Sequence, residues 1–587
     1  MGKLFKNFSK KDILEIVLCI ALIAFQVWLD LKLPDYMSEI TRLIQTEGTK
    51  VSDILVPGGY MLACAFGSLI SAIIVGFFAS GISANFSTDL RQRIFRKVES
   101  LSTAEIKKFS TSSLITRTTN DVSQVEMLIS MGLQMLIKAP IMAVWAITKI
   151  LNKSIEWSML TGLGVVILMS TIITIMIIVL PRFERVQKLI DKVNGVTREN
   201  LTGIRVIRAF NAEGFQKERF EDVNTNLTKM QLFNQKCFVF LSPVMNFVMQ
   251  FLTLGIYFIG ASLIQDAGMA SKVTLFSDMV VFSSYGMQVI MSFLMLAMIF
   301  MMWPRSQVSA KRINEVLDEE ETIKDGNLSN INTDLVGTVE FKNVSFKYPD
   351  ADEYLLENIS FKVNKGETIA FIGSTGSGKS SLINLVPRFY DATKGEVLVD
   401  GINVKDYKQK DLHNKIGYVP QKAVMFTGTV KENVGYGDNG KGEITLDKVK
   451  EAICVAQGED FVLKMEDTYN SHIARGGTNV SGGQKQRLAI ARAIARDPEI
   501  YIFDDSFSAL DYKTDATLRK ELKKYTKNAT NMIVAQRIGT IIHADKIVVL
   551  DKGKCVGIGT HKELLKNCQV YKEIALSQLS KEELENA

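Results

Sequence analysis

Residues 368–386, TIAFIGSTGSGKSSLINLV, decide the fold of the second half of the chain. They read as an apolar strand, a glycine-rich turn and the start of a helix. Gly373, Gly378, Lys379 and Ser380 match the spacing G-x-x-x-x-G-K-[ST] in this strand–loop–helix context. Small residues let successive backbone N–H groups surround phosphate oxygens, and the N-terminus of the following helix adds partial positive charge. The stretch therefore predicts an α/β P-loop domain that binds a nucleoside triphosphate, with Lys379 reaching the β- and γ-phosphates.

A second apolar run, YIFDDSFSALD at residues 501–511, ends in two aspartates. A buried strand that closes on Asp504 commonly holds Mg²⁺ beside a nucleotide, with the hydroxyl of Ser380 as a further ligand. The next residue, Asp505, stands where a carboxylate would handle the attacking water, and that task favours a longer side chain. The two runs leave open whether this site hydrolyses ATP or mainly binds it.

The first half of the chain is far more apolar, in a protein of 587 residues that is 47% hydrophobic. A helix of roughly 20 apolar residues crosses a bilayer. Segments of at least this length lie near 12–34, 56–83, 128–150, 157–180, 237–264 and 274–303. One such run could equally be a buried core helix, but six in succession predict a membrane domain.

Positive charges predict the orientation of these segments. The loop 84–127 carries seven Lys and Arg residues and the loop 182–236 carries eleven, whereas the loops 35–55, 151–156 and 265–273 carry four in total. Loops rich in Lys and Arg stay in the cytoplasm. We therefore expect both termini and both long loops to be cytoplasmic, in a multi-pass protein of the cell membrane. The helical pattern of the two long loops predicts that the membrane helices extend well into the cytoplasm.

The remaining bulk properties are modest. The net charge is +6, and no nucleic-acid partner is expected. The cysteines have no paired or metal-ligand spacing, which indicates free thiols in a reducing compartment; they are Cys19, Cys64, Cys237, Cys454, Cys555 and Cys568. The basic N-terminus is followed by no small-residue cleavage site, so no cleavable signal is expected.

A third motif, NVSGGQKQRLAIARAIARD at residues 479–497, places a second anion-binding helix N-terminus in the same domain. One phosphate chain does not need two such sites from one subunit. Together with the P-loop, GYVPQ ending at Gln421, the SALD of residues 508–511 and six preceding spans, this motif makes the chain resemble an ATP-binding cassette (ABC) exporter half-transporter. The resemblance covers essentially the whole chain. One P-loop, one signature and no internal repeat also mean that at least two chains are needed.

The resemblance implies a site shared between two cassettes that dimerise head to tail. Its cofactors are ATP and Mg²⁺. The ATP-binding residues that it implies are Tyr348 (which stacks on adenine), Gly373, Ser374, Thr375, Gly376, Ser377, Gly378, Lys379, Ser380, Ser381, Gln421 and Asp504. The implied magnesium ligands are Ser380, Gln421 and Asp504. The signature residues that serve the partner's ATP are Ser481, Gly482, Gly483 and Gln484.

Two departures from the family pattern answer the question raised by the second aspartate. The family's general base is a glutamate, and this chain has Asp505; the family's switch histidine is replaced by Gln536 in VAQRIGTIIHAD. A base must approach its proton to about 2.6–3.2 Å, and Asp is one methylene shorter than Glu. Gln536 cannot take up a proton, and no histidine of the chain replaces it (His413, His472, His543, His561). We expect a degenerate site that binds ATP and hydrolyses it slowly.

The expected assembly is a heterodimer with a homologous half-transporter that carries the intact glutamate and histidine. Arg475 is a further departure, because many exporters have an acidic residue at this position, which contacts the cytoplasmic loops.

The expected architecture is an α-helical membrane domain of six transmembrane helices with long cytoplasmic extensions, fused to an α/β P-loop NTPase cassette domain. The predicted boundaries are 1–303 for the membrane domain, 304–336 for a linker, 337–578 for the cassette and 579–587 for a C-terminal tail. Segments 107–126 and 204–220 resemble the exporters' coupling regions; solvated helical linkers are the alternative.

The sixth span carries a candidate substrate-binding face. In the sixth span, methionines recur on one helical face at positions Met287, Met291, Met295, Met298 and Met302. Such a face is typical of adaptable binding surfaces, although helix packing or lipid contact would give the same pattern. Lys138 and Lys149 are costly in lipid and are expected to face a cavity or to snorkel. The predicted function is the ATP-driven export of amphipathic or hydrophobic compounds, namely drugs, lipids or peptides. The alternatives are a nucleotide-gated regulatory or channel-like subunit and a soluble cassette ATPase.

Overall fold

The structure is a computed structural model and describes residues 1–6, 8–46, 48–151, 155–329 and 335–579. It divides into two compact units. The first comprises Met1–Glu99 with Ser110–Glu319, and the second comprises Ser100–Phe109 with Glu320–Ala587. Residues 330–334 of the predicted linker and 580–587 of the predicted tail lie outside the described residues.

Long helices build the first unit. The helices from the N-terminus onwards are α1 (Gly2–Phe5), α2 (Lys10–Gln45), α3 (Val51–Ser100), α4 (Thr103–Phe109, in the second unit), α5 (Thr111–Thr116), a π-helical turn (Arg117–Asp121), α6 (Val122–Leu151), α7 (Ile155–Thr202), α8 (Ile204–Ala209), α9 (Glu213–Asp266) and α10 (Met269–Leu317). Six helical stretches in the described part of the chain are long and apolar enough to cross a membrane, which confirms the number predicted from the sequence.

Each of the six long helices contains one proline, and none of them ends there; the prolines are Pro34, Pro57, Pro140, Pro181, Pro243 and Pro304. Unpaired backbone groups are costly in an apolar surrounding. A helix that loses one hydrogen bond at a proline and keeps all the others is therefore favoured over a helix that is interrupted there. Helix α10 therefore continues past residue 303 to Leu317. Residues 304–317 were predicted to belong to a linker, but in the structure they are helical. The change in composition near residue 303 marks the end of the apolar surface and not the end of the helix.

Two ion pairs join α2 to α6. Lys138 Nζ lies 3.0 Å from an Asp30 carboxylate oxygen, and Lys149 Nζ lies 2.7 Å from one of Asp35. The hydroxyl of Tyr285 on α10 donates to the other Asp35 oxygen at 2.6 Å. Both lysines were expected to face a cavity or to snorkel. In the structure each is paired with a carboxylate, which offsets the cost of charge in an apolar helix.

The second unit contains two main sheets. Its strands are β1 (Val339–Phe346), β2 (Leu356–Val363), β3 (Thr368–Gly373), β4 (Lys394–Val399), β5 (Ile402–Asn403), β6 (Ile416–Val419), β7 (Gly428–Thr429), β8 (His472–Ile473), β9 (Ile500–Asp504), β10 (Thr530–Val534), β11 (Lys546–Asp551) and β12 (Lys554–Gly559). Its helices after α4 are α11 (Lys379–Ile383), α12 (Gln409–Asn414), α13 (Val430–Val434), α14 (Leu446–Val455), α15 (Glu459–Val462), α16 (Gly482–Ala495), α17 (Tyr512–Tyr525), α18 (Ile538–Ile541), α19 (His561–Asn567) and α20 (Gln569–Gln578). Strands β2, β1, β4 and β5 form an antiparallel sheet in that order.

The six-stranded sheet positions the site. Its order is β12-β11-β3-β10-β9-β6, and all neighbours are parallel except β11 and β12. Val534 on β10 pairs with Phe371 on one side and with Asp504 on the other. Because the carboxyl ends of parallel strands meet at one edge, the loops after β3, β10, β9 and β6 converge there. The expected fold class, six apolar helices fused to an α/β domain, is confirmed.

Candidate nucleotide-binding site

The P-loop follows β3 and needs its glycines for two different reasons. A Cβ at Gly373 would lie 2.0 Å from the carbonyl oxygen of Leu550, so only glycine fits between the loop and β11. Gly378 has a φ of +92°, and a Cβ there would lie 2.6 Å from the Leu356 side chain. The loop tip, Ser374–Thr375–Gly376, is exposed. Helix α11 after the loop has five residues, shorter than the apolar pattern to residue 386 indicates.

Lys379 curls back over this loop. Its Nζ donates to the carbonyl oxygens of Gly373 at 2.9 Å and Ser374 at 2.8 Å, and lies 3.4 Å from the hydroxyl of Ser377. Burial lowers the pKa of the ammonium, and the nearby carboxylates of Asp505 and Asp504 oppose this shift. Two carbonyl oxygens and a hydroxyl hold the Lys379 ammonium above a loop of small residues. The ammonium is therefore placed to contact a phosphate chain.

Ser380 and Asp504 bring two oxygen ligands together. The hydroxyl of Ser380 donates to Asp504 Oδ1 at 2.8 Å. Asp504 is 5% exposed, and burial raises the pKa of its carboxyl, as does the charge of Asp505; the Ser380 hydrogen bond and Lys379 lower it. Hydroxyl and carboxylate oxygens are ligands that Mg²⁺ prefers, and a buried carboxylate gains from a divalent cation. The donor set therefore fits magnesium.

Asp505 is held by two glutamines. Its Oδ2 accepts a hydrogen bond from Gln536 Nε2 at 2.7 Å and another from Gln421 Nε2 at 3.2 Å. Gln421 follows β6 and Gln536 follows β10, so both side chains reach the carboxylate from strand ends on either side of β9. Asp505 has a φ of +46° and is 8% exposed. The position expected to act as the base is thus a buried carboxylate whose Oδ2 already accepts two amide hydrogen bonds.

Tyr348 lies just after β1. Its hydroxyl shares a 2.8 Å hydrogen bond with that of Ser381, and its ring packs edge to face with Phe346 and Tyr390. The bond to Ser381, which is adjacent to Ser380, places this aromatic ring beside the P-loop helix. Sequence reasoning missed one neighbour: Lys107 Nζ lies 5.5 Å from the centre of the Tyr348 ring. No local sequence signal could have placed a residue before the third span on this ring.

The signature begins α16. Ser481 is its N-cap: the Ser481 hydroxyl accepts from Gln484 N at 3.3 Å, and Gln484 Oε1 accepts from Ser481 N at 2.8 Å. A Cβ at Gly482 would have no atom of the described residues within 4 Å, and one at Gly483 would lie 3.4 Å from the carbonyl oxygen of Ala509. The hydrogen bonds of Ser481 and Gln484 stay inside this capping box, and the start of a 14-residue helix is left accessible.

The predicted residues form three groups and one separate element. Hydrogen bonds lie within each of the three groups, which are the P-loop with Lys379, the pair Ser380–Asp504 and the triad Gln421–Asp505–Gln536. The magnesium ligand expected at Gln421 bonds to Asp505 in this structure. The signature is separate from these groups. His543 and Arg475 are exposed.

Comparisons with known families cover both units. A family described as ABC transporter matches residues 356–508, and one described as ABC transporter transmembrane region matches residues 13–293.

Several curated relatives match over most of their own length. The chain is 38% identical over 547 residues to an uncharacterised ABC transporter ATP-binding protein of Mycobacterium bovis, covering 92% of this chain and 93% of the relative. It is 32% identical over 510 residues to a putative multidrug export ATP-binding/permease protein of Staphylococcus aureus, covering 85% of each.

A solved structure shares the fold. A bacterial Atm1-family ABC exporter with ATP bound superposes with a TM-score of 0.82 at 22% sequence identity, covering 97% of this chain and 100% of the other.

Proposed function

Because the chain belongs to the ABC transporter family and carries one membrane region and one ATP-binding cassette, we propose that it is one half of an ATP-driven exporter that works as a heterodimer. The cassette makes it an ATPase coupled to transport. The direction of transport is supported by the Staphylococcus aureus relative, named as a putative multidrug export protein. The partner is a homologous half-transporter with an intact glutamate base and switch histidine.

The proposal of a heterodimer rests on one observation. The carboxylate of Asp505 accepts hydrogen bonds from Gln536 and Gln421. A general base needs an oxygen that can accept a proton from water within about 2.6–3.2 Å. Here Oδ2 already accepts hydrogen bonds from two amides, and neither amide can accept the proton in turn. The side chain is also one methylene shorter than glutamate. A site of this kind retains ATP and turns it over slowly.

The residues of this chain have separate tasks at that site. The P-loop backbone and Lys379 bind the phosphates, and Tyr348 carries the base. Ser380 and Asp504, with Gln421, would hold Mg²⁺, which neutralises charge on the phosphate oxygens when it is bound. Gln536 orients Asp505 and offers an amide hydrogen bond without proton transfer.

The signature serves the partner. An accessible helix N-terminus with two glycines admits a phosphate group closely. Ser481, Gly482 and Gly483, with Gln484 completing the cap, therefore contribute to the ATP bound at the partner's P-loop, where most turnover takes place.

The substrate is an amphipathic or hydrophobic compound. The side chains of Met287, Met291 and Met298 are 39–45% exposed on α10. Methionine adapts to ligands of varied shape, and this face fits drugs, lipids or peptides. The protein lies in the cell membrane with both termini in the cytoplasm, as the distribution of positive charge predicts.

The test is ATP turnover by this chain alone and by the complex with its partner, both in lipid nanodiscs. The lone chain can form only a homodimer with two degenerate sites. Loss of a positioned base lowers rates by roughly 10²–10⁴-fold, and we expect a deficit of that order relative to the complex. We also expect one ATP per heterodimer to survive washing.

Equal rates for the lone chain and the complex would replace this proposal with a homodimeric exporter that uses an aspartate base. ATP-dependent ion flux without substrate transport would instead support a nucleotide-gated channel.

A further inference from the structure

Helix α20 packs beside the segment that carries Gln536. Tyr571 and Ala575 lie about one turn apart on α20, and both are fully buried. They belong to the same hydrophobic core as Ile538, the first residue of α18. Side chains at positions i, i+4 and i+7 of a helix share one face. Gln578, at the seventh position after Tyr571, therefore extends from the packed face of α20 towards α18.

Gln578 binds the backbone of that segment on both sides of Arg537. Its Nε2 donates to the carbonyl oxygen of Gln536 at 2.8 Å, and its Oε1 accepts from the backbone N of Ile538 at 2.8 Å. A glutamine amide offers both donors and an acceptor, and here both kinds of group are used at once. One side chain therefore fixes two peptide groups of the segment relative to α20.

The start of α18 depends on this contact. The first N–H groups of a helix have no partner within the helix, and a side-chain oxygen at the N-cap commonly supplies one. The N-cap residue of α18 is Arg537, whose side chain has no acceptor and makes no capping bond in the described part of the chain. Gln578 therefore supplies, from another helix, the capping oxygen that Arg537 lacks.

The end of α18 is fixed separately. Arg519 Nη1 donates to the carbonyl oxygen of Gly539 at 2.7 Å, and the guanidinium also donates to both carboxylate oxygens of Asp515 at 3.0 Å. Loss of the Gln578 amide would therefore release the start of the segment while the end of α18 stays anchored.

The part that would be released carries an amide of the nucleotide site. Gln536 Nε2 donates to Asp505 Oδ2 at 2.7 Å. Gln536 is itself exposed, so packing around its side chain does not fix the direction of that amide. The direction depends instead on the backbone from which the side chain extends, and Gln578 holds that backbone.

We propose that Gln578 is a positioning residue of the nucleotide site. By fixing the peptide groups of Gln536 and Ile538, it holds the Gln536 amide where this amide can donate to the γ-phosphate of ATP. The preference of this site for ATP over ADP then depends on helix α20, outside the P-loop, signature and strand-end motifs. The proposal rests on the proposed function, which assigns Gln536 to the switch position.

The experiment compares two magnesium nucleotides. One is the β,γ-imido analogue of ATP, which has a γ-phosphate and resists hydrolysis, and the other is ADP, which has no γ-phosphate. Binding of each to the full-length chain in nanodiscs is measured calorimetrically. Gln578→Leu removes both hydrogen bonds, and Gln578→Glu keeps the acceptor for the Ile538 amide but loses the donor. Gln569→Ala is the matched control, because Gln569 is an exposed glutamine of the same helix whose amide donates to Glu573.

The ratio of the two affinities is the readout. We expect Gln578→Leu to weaken binding of the ATP analogue roughly three- to tenfold, as for the loss of one hydrogen bond, and to leave ADP binding unchanged. Gln578→Glu should retain part of the preference for the ATP analogue. Gln536→Ala should lower the preference to the same extent as Gln578→Leu, and the double variant should show no further loss. Gln569→Ala should bind both nucleotides as the unmodified chain does.

The outcomes separate this proposal from the function on which it rests. If Gln536→Ala lowers the preference for the ATP analogue but Gln578→Leu behaves like Gln569→Ala, the positioning role is refuted and the assignment of Gln536 stands. If Gln536→Ala leaves the preference unchanged, the assignment of Gln536 to the switch position fails. Equal weakening of both nucleotides by Gln578→Leu would show a general effect on folding and would also refute the proposal.

Hydrogen exchange measures the backbone anchor directly. The amide of Ile538 should exchange faster in Gln578→Leu than in the unmodified chain, whereas Gln578→Glu should keep it protected. The amides of β10 should exchange at the same rate in all three proteins, which excludes a loss of the fold. Unchanged exchange at Ile538 in Gln578→Leu would overturn the positioning role.

Discussion

Gln536 Nε2 donates to Asp505 Oδ2 at 2.7 Å, across the ends of two neighbouring parallel strands. We propose that these two residues stand where the family has its glutamate base and its switch histidine, and in the fold they are direct partners. Under that proposal they act as one unit, because the Gln536 amide binds the Asp505 carboxylate.

This coupling predicts the behaviour of activating substitutions. We expect Asp505→Glu alone to raise the ATP turnover of the lone chain little, because Gln536 cannot take part in proton transfer. The double variant Asp505→Glu, Gln536→His should recover a substantial part of the roughly 10²–10⁴-fold deficit. Steady-state phosphate release in nanodiscs measures both, with Gln536→His alone as the control. Full recovery with Asp505→Glu alone would mean that the glutamine does not limit the site.

The signature and the P-loop of this chain should have unequal effects on the complex. Gly482→Asp blocks phosphate approach and adds a like charge. It should still fold, because a Cβ at this position meets no atom of the described residues within 4 Å. We expect it to reduce turnover of the complex more than Lys379→Ala does, since we propose that the signature serves the faster site. Gly482→Ala is the matched control and should be mild. The opposite ranking in ATPase assays would mean that the fast and slow sites are assigned the wrong way round.

Asp504 predicts a dependence of stability on pH. Because burial raises the pKa of its carboxyl in the folded state, this group favours folding at low pH, below its unfolded value near 3.9, and this contribution is lost as pH rises through the raised value. At pH 7 the ionised carboxylate opposes folding, so Asp504→Asn should raise the Tm of the nucleotide-free chain. The difference should shrink as pH falls towards 4.

Magnesium provides the control for this effect. Mg·ATP should raise the Tm of the unmodified chain more than that of Asp504→Asn, since the variant lacks the anionic ligand. Scanning fluorimetry in detergent with and without EDTA measures both shifts. A variant that responds fully to Mg·ATP would remove Asp504 from the metal site.

The ion pair Lys138–Asp30 predicts a stability effect in the membrane unit. Both side chains are about four-fifths buried, at 20% and 18% exposure, and Asp30 also accepts from the hydroxyl of Ser68. Removing one partner of a buried pair costs roughly 3–5 kcal/mol, because it leaves an uncompensated charge. Lys138→Met should therefore destabilise the chain more than the double variant Lys138→Met, Asp30→Asn does.

An exposed pair serves as the comparison. Lys3 and Asp318 lie 2.8 Å apart with 70% and 54% of their side chains exposed, so Lys3→Ala should change stability by about 1 kcal/mol or less. Thermal denaturation of the four proteins ranks them. A double variant as unstable as Lys138→Met would show that packing, and not the unpaired charge, dominates.

The sequence by itself determined the elements whose signals are local. The P-loop spacing, the buried strand ending at Asp504, the helix that begins at the signature and the six apolar spans were all predicted, because backbone conformation and burial are encoded in neighbouring residues. The end of the sixth helix was not, since composition changes at residue 303 while hydrogen bonding continues to Leu317.

Only the tertiary structure decided which distant side chains meet. Gln421 and Gln536 reach Asp505 from 84 and 31 residues away because β9 lies between β6 and β10 in the sheet. Lys138 contacts Asp30 because two apolar helices pack side by side. A charge on an apolar helix is stable only beside its counter-ion. Lys107 reaches Tyr348 because the segment Ser100–Phe109 belongs to the same compact unit as the cassette. Strand order and helix packing are long-range properties, and no window of neighbouring residues carries them.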